Sequence, residues 1–251
     1  MKKVDFLVME KAWLIQLKGS EFDLKVLSES FCLSDFSVTE DQGSYYLKSQ
    51  QFNMANEIEE VYRSATELLT FIKGAIEIYS GQSYNISIAR VIRVDEQGQR
   101  ESFVIAPPPM RAASQAKMRA RASICRGTEI TNSLPQPSII ESYVAIPRQD
   151  ERAAKVFRIW VSREHNWHNL YHMYEVVEGN VSSMSQIVQN GWATETEIKL
   201  FKRTACNENV LGDDARHGYT KDLNLKNPMT LSEAQSLIQK ILNHWIRSKC
   251  A

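Results

Sequence analysis

Hydrophobic positions along the first half of the chain switch between strand-like and helix-like spacing, and along the second half they keep mostly helical spacing. Trp13 to Leu17 reads as a short strand ending at the turn signal Lys18-Gly19-Ser20. Phe36 to Thr39 and Tyr45 to Lys48 flank Glu40-Asp41-Gln42-Gly43, where glycine supplies the positive φ that a tight hairpin turn requires. From Met54 to Tyr79 the spacing turns helical. Ile58, Val61, Ala65, Leu68, Leu69, Ile72 and Ile76 recur at steps of three and four and form one apolar stripe, which Gly81 is placed to stop. A second hairpin is predicted from Ile86 to Val94, through Asp95-Glu96-Gln97-Gly98, with a return strand at Phe103 to Ile105. Pro107-Pro108-Pro109 closes it, because consecutive residues without an N–H cannot join a ladder. Met118 to Cys125 is a further strand candidate.

Leu134-Pro135-Gln136-Pro137-Ser138 is stiff and unsuited to regular structure, so it marks a boundary between residues 1–134 and 138–251. Beyond it, Asp150 to Glu178 reads as one helix of about 43 Å, with Ala153, Phe157, Trp160, Trp167, Tyr171 and Tyr174 on its stripe and Gly179 as its stop. Thr194-Glu195-Thr196-Glu197 and Thr230-Leu231-Ser232-Glu233 are capping boxes. They open helices whose apolar stripes run through Phe201 and through Leu237, Ile241 and Trp245. Three striped helices bury their faces on one another, so the prediction is an α+β protein: an N-terminal antiparallel sheet with a long helix, then an all-helical bundle.

Composition narrows the function classes. Across 251 residues, 30 Lys and Arg balance 30 Asp and Glu, so no global field steers the chain to nucleic acid or to an anionic membrane, and any such contact must be local. Cys32, Cys125, Cys206 and Cys250 form no Cys-x-x-Cys pair and no zinc cage, which fits reduced thiols in a cytoplasmic protein. The basic start Met1-Lys2-Lys3 leads into a stretch interrupted by Asp5, Glu10 and Lys11, and no apolar run approaches spanning length, so neither export nor a membrane partner is expected.

Three clusters carry candidate chemistry. Gly212 to Gly218 contains Arg216-His217, a cation able to grip a phosphate beside a side chain suited to proton transfer near neutral pH. The same residues equally suit a helix terminus, with His217 at the negative end and Arg216 paired to Asp213 or Glu233. His165, His168 and His172, spaced by three and four, fall on one helical face turned away from the aromatic stripe, where such spacing either holds zinc or lies solvated. No general-base Glu completes a metal motif, so no metal and no cofactor are expected. Lys117, Arg119 and Arg121 alternate along the strand candidate and project from one face, either tracking a phosphate backbone or protecting an exposed edge.

Asn169-Leu170-Tyr171 and Tyr174-Glu175 lie on the long predicted helix. Arg216-His217-Gly218 closes a later one, and Leu231-Ser232-Glu233-Ala234 opens a last helix ending in Trp245-Ile246. With these features, residues 145 to 248 resemble HEPN-type domains (higher eukaryote and prokaryote nucleotide-binding). The resemblance implies a helical bundle fused to a sensing or binding module. It also implies metal-independent ribonuclease activity or RNA binding of a toxin or phage-defence type, and a homodimer through the C-terminal helices. Active members separate Arg from His by several residues. Arg216-His217 has no such gap, whereas Arg163 and His168 are separated by four residues. The resemblance therefore gives Arg216 for phosphate and His217 as acid or base, with Arg163 and His168 as a second pair. The alternative is a non-catalytic ligand- or protein-binding module.

Overall fold

The computed structural model describes residues 12–31, 35–104, 137–216 and 225–250. The strand proposed at Met118 to Cys125, with Lys117, Arg119 and Arg121, lies outside the described residues, as does His217. The fold is the predicted α+β arrangement, with an N-terminal five-stranded antiparallel sheet and helices in the C-terminal half. Among the described residues no helix is long and apolar enough to cross a membrane.

Strands β1 (Ala12–Lys18), β2 (Phe36–Asp41), β3 (Ser44–Ser49), β4 (Ser87–Val94) and β5 (Arg100–Phe103) run in the order β2-β3-β1-β4-β5. Ile15 pairs with Leu47 on one side and Val91 on the other, which centres β1 and buries its odd-numbered face. The first hairpin turns on two residues, Gln42 and Gly43, both at positive φ, the conformation that matches strand twist. In the second, Asp95 Oδ1 accepts from the Gln97 and Gln99 amides at 2.9 and 2.7 Å. This Asx-type turn ends early enough for β5 to start at Arg100, three residues before the predicted Phe103.

Helix α1 (Glu21–Ser30), which the spacing did not announce, is capped by Ser20 and follows β1. The stretch predicted as helix from Met54 starts later. Ser49 caps the short α2 (Gln50–Asn53), Met54 is 84% exposed, and α3 (Ile58–Ser80) follows. Gly81 ends α3 in the left-handed region, as predicted, with its N–H on Glu77 O at 2.9 Å. The predicted stripe of α3 is buried from Val61 to Ile76, with Ile58 half-buried at the start, and a second set, Phe71, Gly74 and Ile78, is buried too.

The second set meets the C-terminal half. Helices α4 (Pro137–Gln149) and α5 (Glu151–Ser162) pack on α3, as does α10 (Leu231–Lys249), and one continuous apolar core runs from Trp13 to Ile246. Pro137 and Ser138 thus belong to a helix, correcting the expectation that this stretch stays irregular, because proline at a helix start gives up an N–H that has no partner there anyway. Phe71 and Phe157 meet edge to face at 6.1 Å, directly over Gly74. A Cβ on Gly74 would sit 2.7 Å from Phe157 Cδ1. Gly74→Ala is therefore expected to destabilise the protein by about 1–2 kcal/mol, because overpacking outweighs the gain in helix propensity of about 1 kcal/mol. Urea unfolding reads this directly, and a raised midpoint would show that the Phe157 ring yields freely.

The single helix predicted from Asp150 to Glu178 is two. Asp150 caps α5, but α5 stops at Ser162, Arg163 is extended (φ −125°, ψ 158°), and α6 (Trp167–Asn180) begins afresh. Asn166 causes the restart. Its side chain accepts from the Asn169 amide at 3.0 Å, while the buried Asn169 donates to Glu164 O at 2.8 Å. Gly179 is not a stop either. It lies inside α6, and Ser182 takes the positive φ that comes after. The short α7 (Met184–Gln189) precedes α8 (Glu195–Ala205), the single turn α9 (Glu208–Leu211) follows, and both predicted capping boxes, on α8 and α10, are formed.

Candidate functional site

The break between α5 and α6 sets the site. An unbroken helix would hold Arg163 on a cylinder, whereas the extended backbone places it beside two neighbouring clefts, both lined by Ser162 and Arg163. The first, of about 770 Å³, runs between α3 and α5 and reaches His172 on α6. Four cations line it, Arg63 from α3, Lys155 and Arg158 from α5, and Arg163, against the single carboxylate of Glu67. Arg158 is committed, paired with Glu151 and at 3.4 Å with Glu67. No carboxylate among the described residues is paired with Arg63, Lys155 or Arg163.

Such a trough concentrates positive charge in a molecule with no net charge, which favours an anion there. His172 bears the field directly. Burial, then the neighbouring Lys155, hold its imidazole below the ordinary value, with Glu175 opposing and His168 and Arg163 adding to the depression. At neutral pH His172 is therefore uncharged and available as a proton acceptor. His168 stands one turn earlier on α6, exposed to solvent.

Arg216 has a different setting. Its Nη2 meets Glu175 Oε1 at 2.8 Å, its guanidinium lies 4.1 Å from the Tyr171 ring centre, and its backbone N–H donates to Ala205 O. These contacts tie the chain after α8 onto α6, next to the parallel arrangement in which Lys202 meets Glu178 at 3.2 Å over Tyr174. Arg216 and Arg163 thus reach α6 from separate elements, with Glu175 between Arg216 and the field at His172.

The three-histidine face does not assemble. His165 lies in the link before α6, its Nε2 is 2.7 Å from Trp160 O, and its ring packs tilted against Trp160 at 4.1 Å between centroids. It is turned to the aromatic stripe that the continuous-helix reading had it face away from. Among the described residues no three His, Cys, Asp or Glu side chains are grouped to hold a metal ion.

The HEPN-type resemblance picked out Arg163, through the four residues between it and His168. Arg63, Lys155 and Arg158 were missed, although Arg152, Lys155 and Arg158 form a basic row at intervals of three on α5. What no spacing reveals is that α3 lies alongside that row.

The chain matches no protein-family model, no curated protein and no solved structure.

Proposed function

We propose that the protein binds single-stranded RNA by its phosphodiester backbone in the cleft between α3 and α5. The observation that carries this is the set of cations without carboxylate partners among the described residues, Arg63, Lys155 and Arg163, along one open trough. Cations spread over two helices suit a chain of phosphates better than one small anion, and phosphate contacts of this kind need no particular sequence. The resemblance of residues 145 to 248 to HEPN-type domains points to the same ligand class.

Anisotropy titration of a labelled single-stranded RNA tests the reading. Three or four phosphate contacts give a slope of about −2 to −3 in log affinity against log salt, or roughly a 20- to 50-fold loss between about 50 and 200 mM. Absence of binding at about 50 mM salt overturns the proposal.

His172 adds a pH dependence. A phosphate beside the imidazole favours its protonated form, so its pKa is higher in the complex than in the free protein, where it lies below the ordinary value. Complex formation then takes up a proton, and affinity is expected to rise as pH falls from about 7.5 to 5.5. His172→Gln should flatten that profile; an unchanged profile would place the phosphate elsewhere.

The neutral imidazole also favours a second reading, in which the bound strand is cut. His172 would take the proton of a ribose 2′-hydroxyl, whose oxygen attacks the adjacent phosphorus. Arg163 would stabilise the added charge, and the 5′-oxygen would leave with a proton from His168 or water. The products are a 2′,3′-cyclic phosphate and a 5′-hydroxyl end. With Arg216 engaged by Glu175 and Tyr171, Arg163 is the guanidinium better placed for this task. A cyclic-phosphate product formed in the presence of chelator and lost in His172→Ala supports cutting, and intact RNA after prolonged incubation removes it.

A further inference from the structure

The second cleft, of about 600 Å³, lies on the other side of Arg163, between the end of α3, the α5–α6 link and α10. Arg163 and several serines line one part of it, and two glutamines of α10 line another. Gln235 Nε2 donates to His165 O at 2.9 Å, and Gln239 Nε2 donates to Glu77 O at 3.2 Å. Because those partners are backbone carbonyls, which only accept, the amide nitrogens must face them, and each Oε1 is left as the outward acceptor. Gln239 Nε2 also lies 3.4 Å from Ile78 O. The exposed Glu164 lines the same cleft, and so does Glu77, whose Oε1 already accepts from Ser83 Oγ at 3.0 Å. Ser236 Oγ is already spent, donating to Ser232 O at 2.9 Å.

The two glutamine oxygens and the Glu164 carboxylate make a set of acceptors that asks for hydrogen-bond donors. Next to it, across Ser162 and Arg163, stands the wall of cations. A ligand matching both carries a phosphate at one end and an amine at the other. We infer that the second cleft receives a nucleobase bearing an exocyclic amine, cytosine or adenine, from a strand whose phosphate rests on Arg163. Uracil is the disfavoured base, since its O4 would meet the glutamine and carboxylate oxygens where cytosine offers N4–H. Base edges of an unpaired strand are read by hydrogen bonds of this type, and the cleft has the volume for one. The inference rests on the RNA reading for its phosphate, but the acceptor wall is a separate observation.

Cytosine and uracil form the cleanest comparison, being alike in size and stacking. Labelled oligocytidylate and oligouridylate of about ten residues, titrated against the full-length protein at one salt concentration, should differ by about tenfold in favour of cytosine, the effect of one or two added hydrogen bonds. Glu164→Ala, at an exposed link position, and Gln239→Met should each bring the two oligomers within about threefold, by weakening the cytidine oligomer and leaving the uridine oligomer unchanged. Equal affinity of the unaltered protein for both, with steep salt dependence retained, overturns base selection while leaving the phosphate trough intact. Failure of both oligomers to bind overturns the RNA reading itself, and the base site with it.

Discussion

Arg163→Glu is expected to weaken RNA binding about 10- to 30-fold near 100 mM salt, and the pair Lys155→Glu with Arg163→Glu about 100-fold or more. Each reversal removes one cation from a trough of four and adds a repulsive charge, so the salt slope should flatten by about 0.7 for each lost contact. Folding should be spared. Arg163 is exposed, forms no ion pair with a described carboxylate, and contributes its backbone N–H to Ile159 O whatever its side chain. Thermal unfolding within a degree or two of the parent protein, alongside the lost affinity, separates a contact residue from a structural one. An undiminished affinity in the double variant would move the binding surface off this cleft. Arg216→Ala is the informative contrast, because its guanidinium is held by Glu175 and Tyr171 and its loss should leave the salt slope alone.

Phe201→Ala carries the largest expected loss of stability, about 3–5 kcal/mol. The ring is fully buried on α8 and lies 5.7, 5.8 and 6.1 Å from the ring centres of Tyr171, Tyr174 and Trp167, all on α6. These rings lock α8 to α6, and with them the two cation clamps, Arg216 over Tyr171 and Lys202 over Tyr174. A domain of ordinary stability holds only about 5–15 kcal/mol, so this one substitution should remove from about a fifth to nearly all of it. Denaturant unfolding measures the loss, and a cost below about 1.5 kcal/mol would mean that the cluster collapses to fill the space. Phe201→Leu, which retains most of the volume, should cost much less.

Where one physical signal ruled, the sequence could be read ahead of the structure. Gln42-Gly43 needed positive φ and became the hairpin turn, and Thr194 and Thr230 needed only Glu197 and Glu233 three residues on. The split of the long helix was visible as well. No apolar residue occurs between Val161 and Trp167, and Asn166 stands where a new cap belongs, but a continuous stripe on both sides hid the interruption. In α3 the second face, Phe71, Gly74 and Ile78, has its own three-and-four spacing, masked by the stronger set beside it. The trough was beyond reach for another reason. Arg63 and Lys155 belong to helices far apart in the chain, and only the packing of α3 on α5 joins their charges.

The two-sided burial of α3 has a bearing on how the protein comes apart. One flank of this helix is sealed to the sheet and the other to α4, α5 and α10, so it acts as a shared spine. A protease nick after β5 and before α4 should sever the chain yet leave both pieces clasped, eluting together at the parent size. For the same reason the amino-terminal piece expressed by itself would present Phe71 and Ile78 to water and precipitate, and supplying the missing piece in the same cell should rescue it.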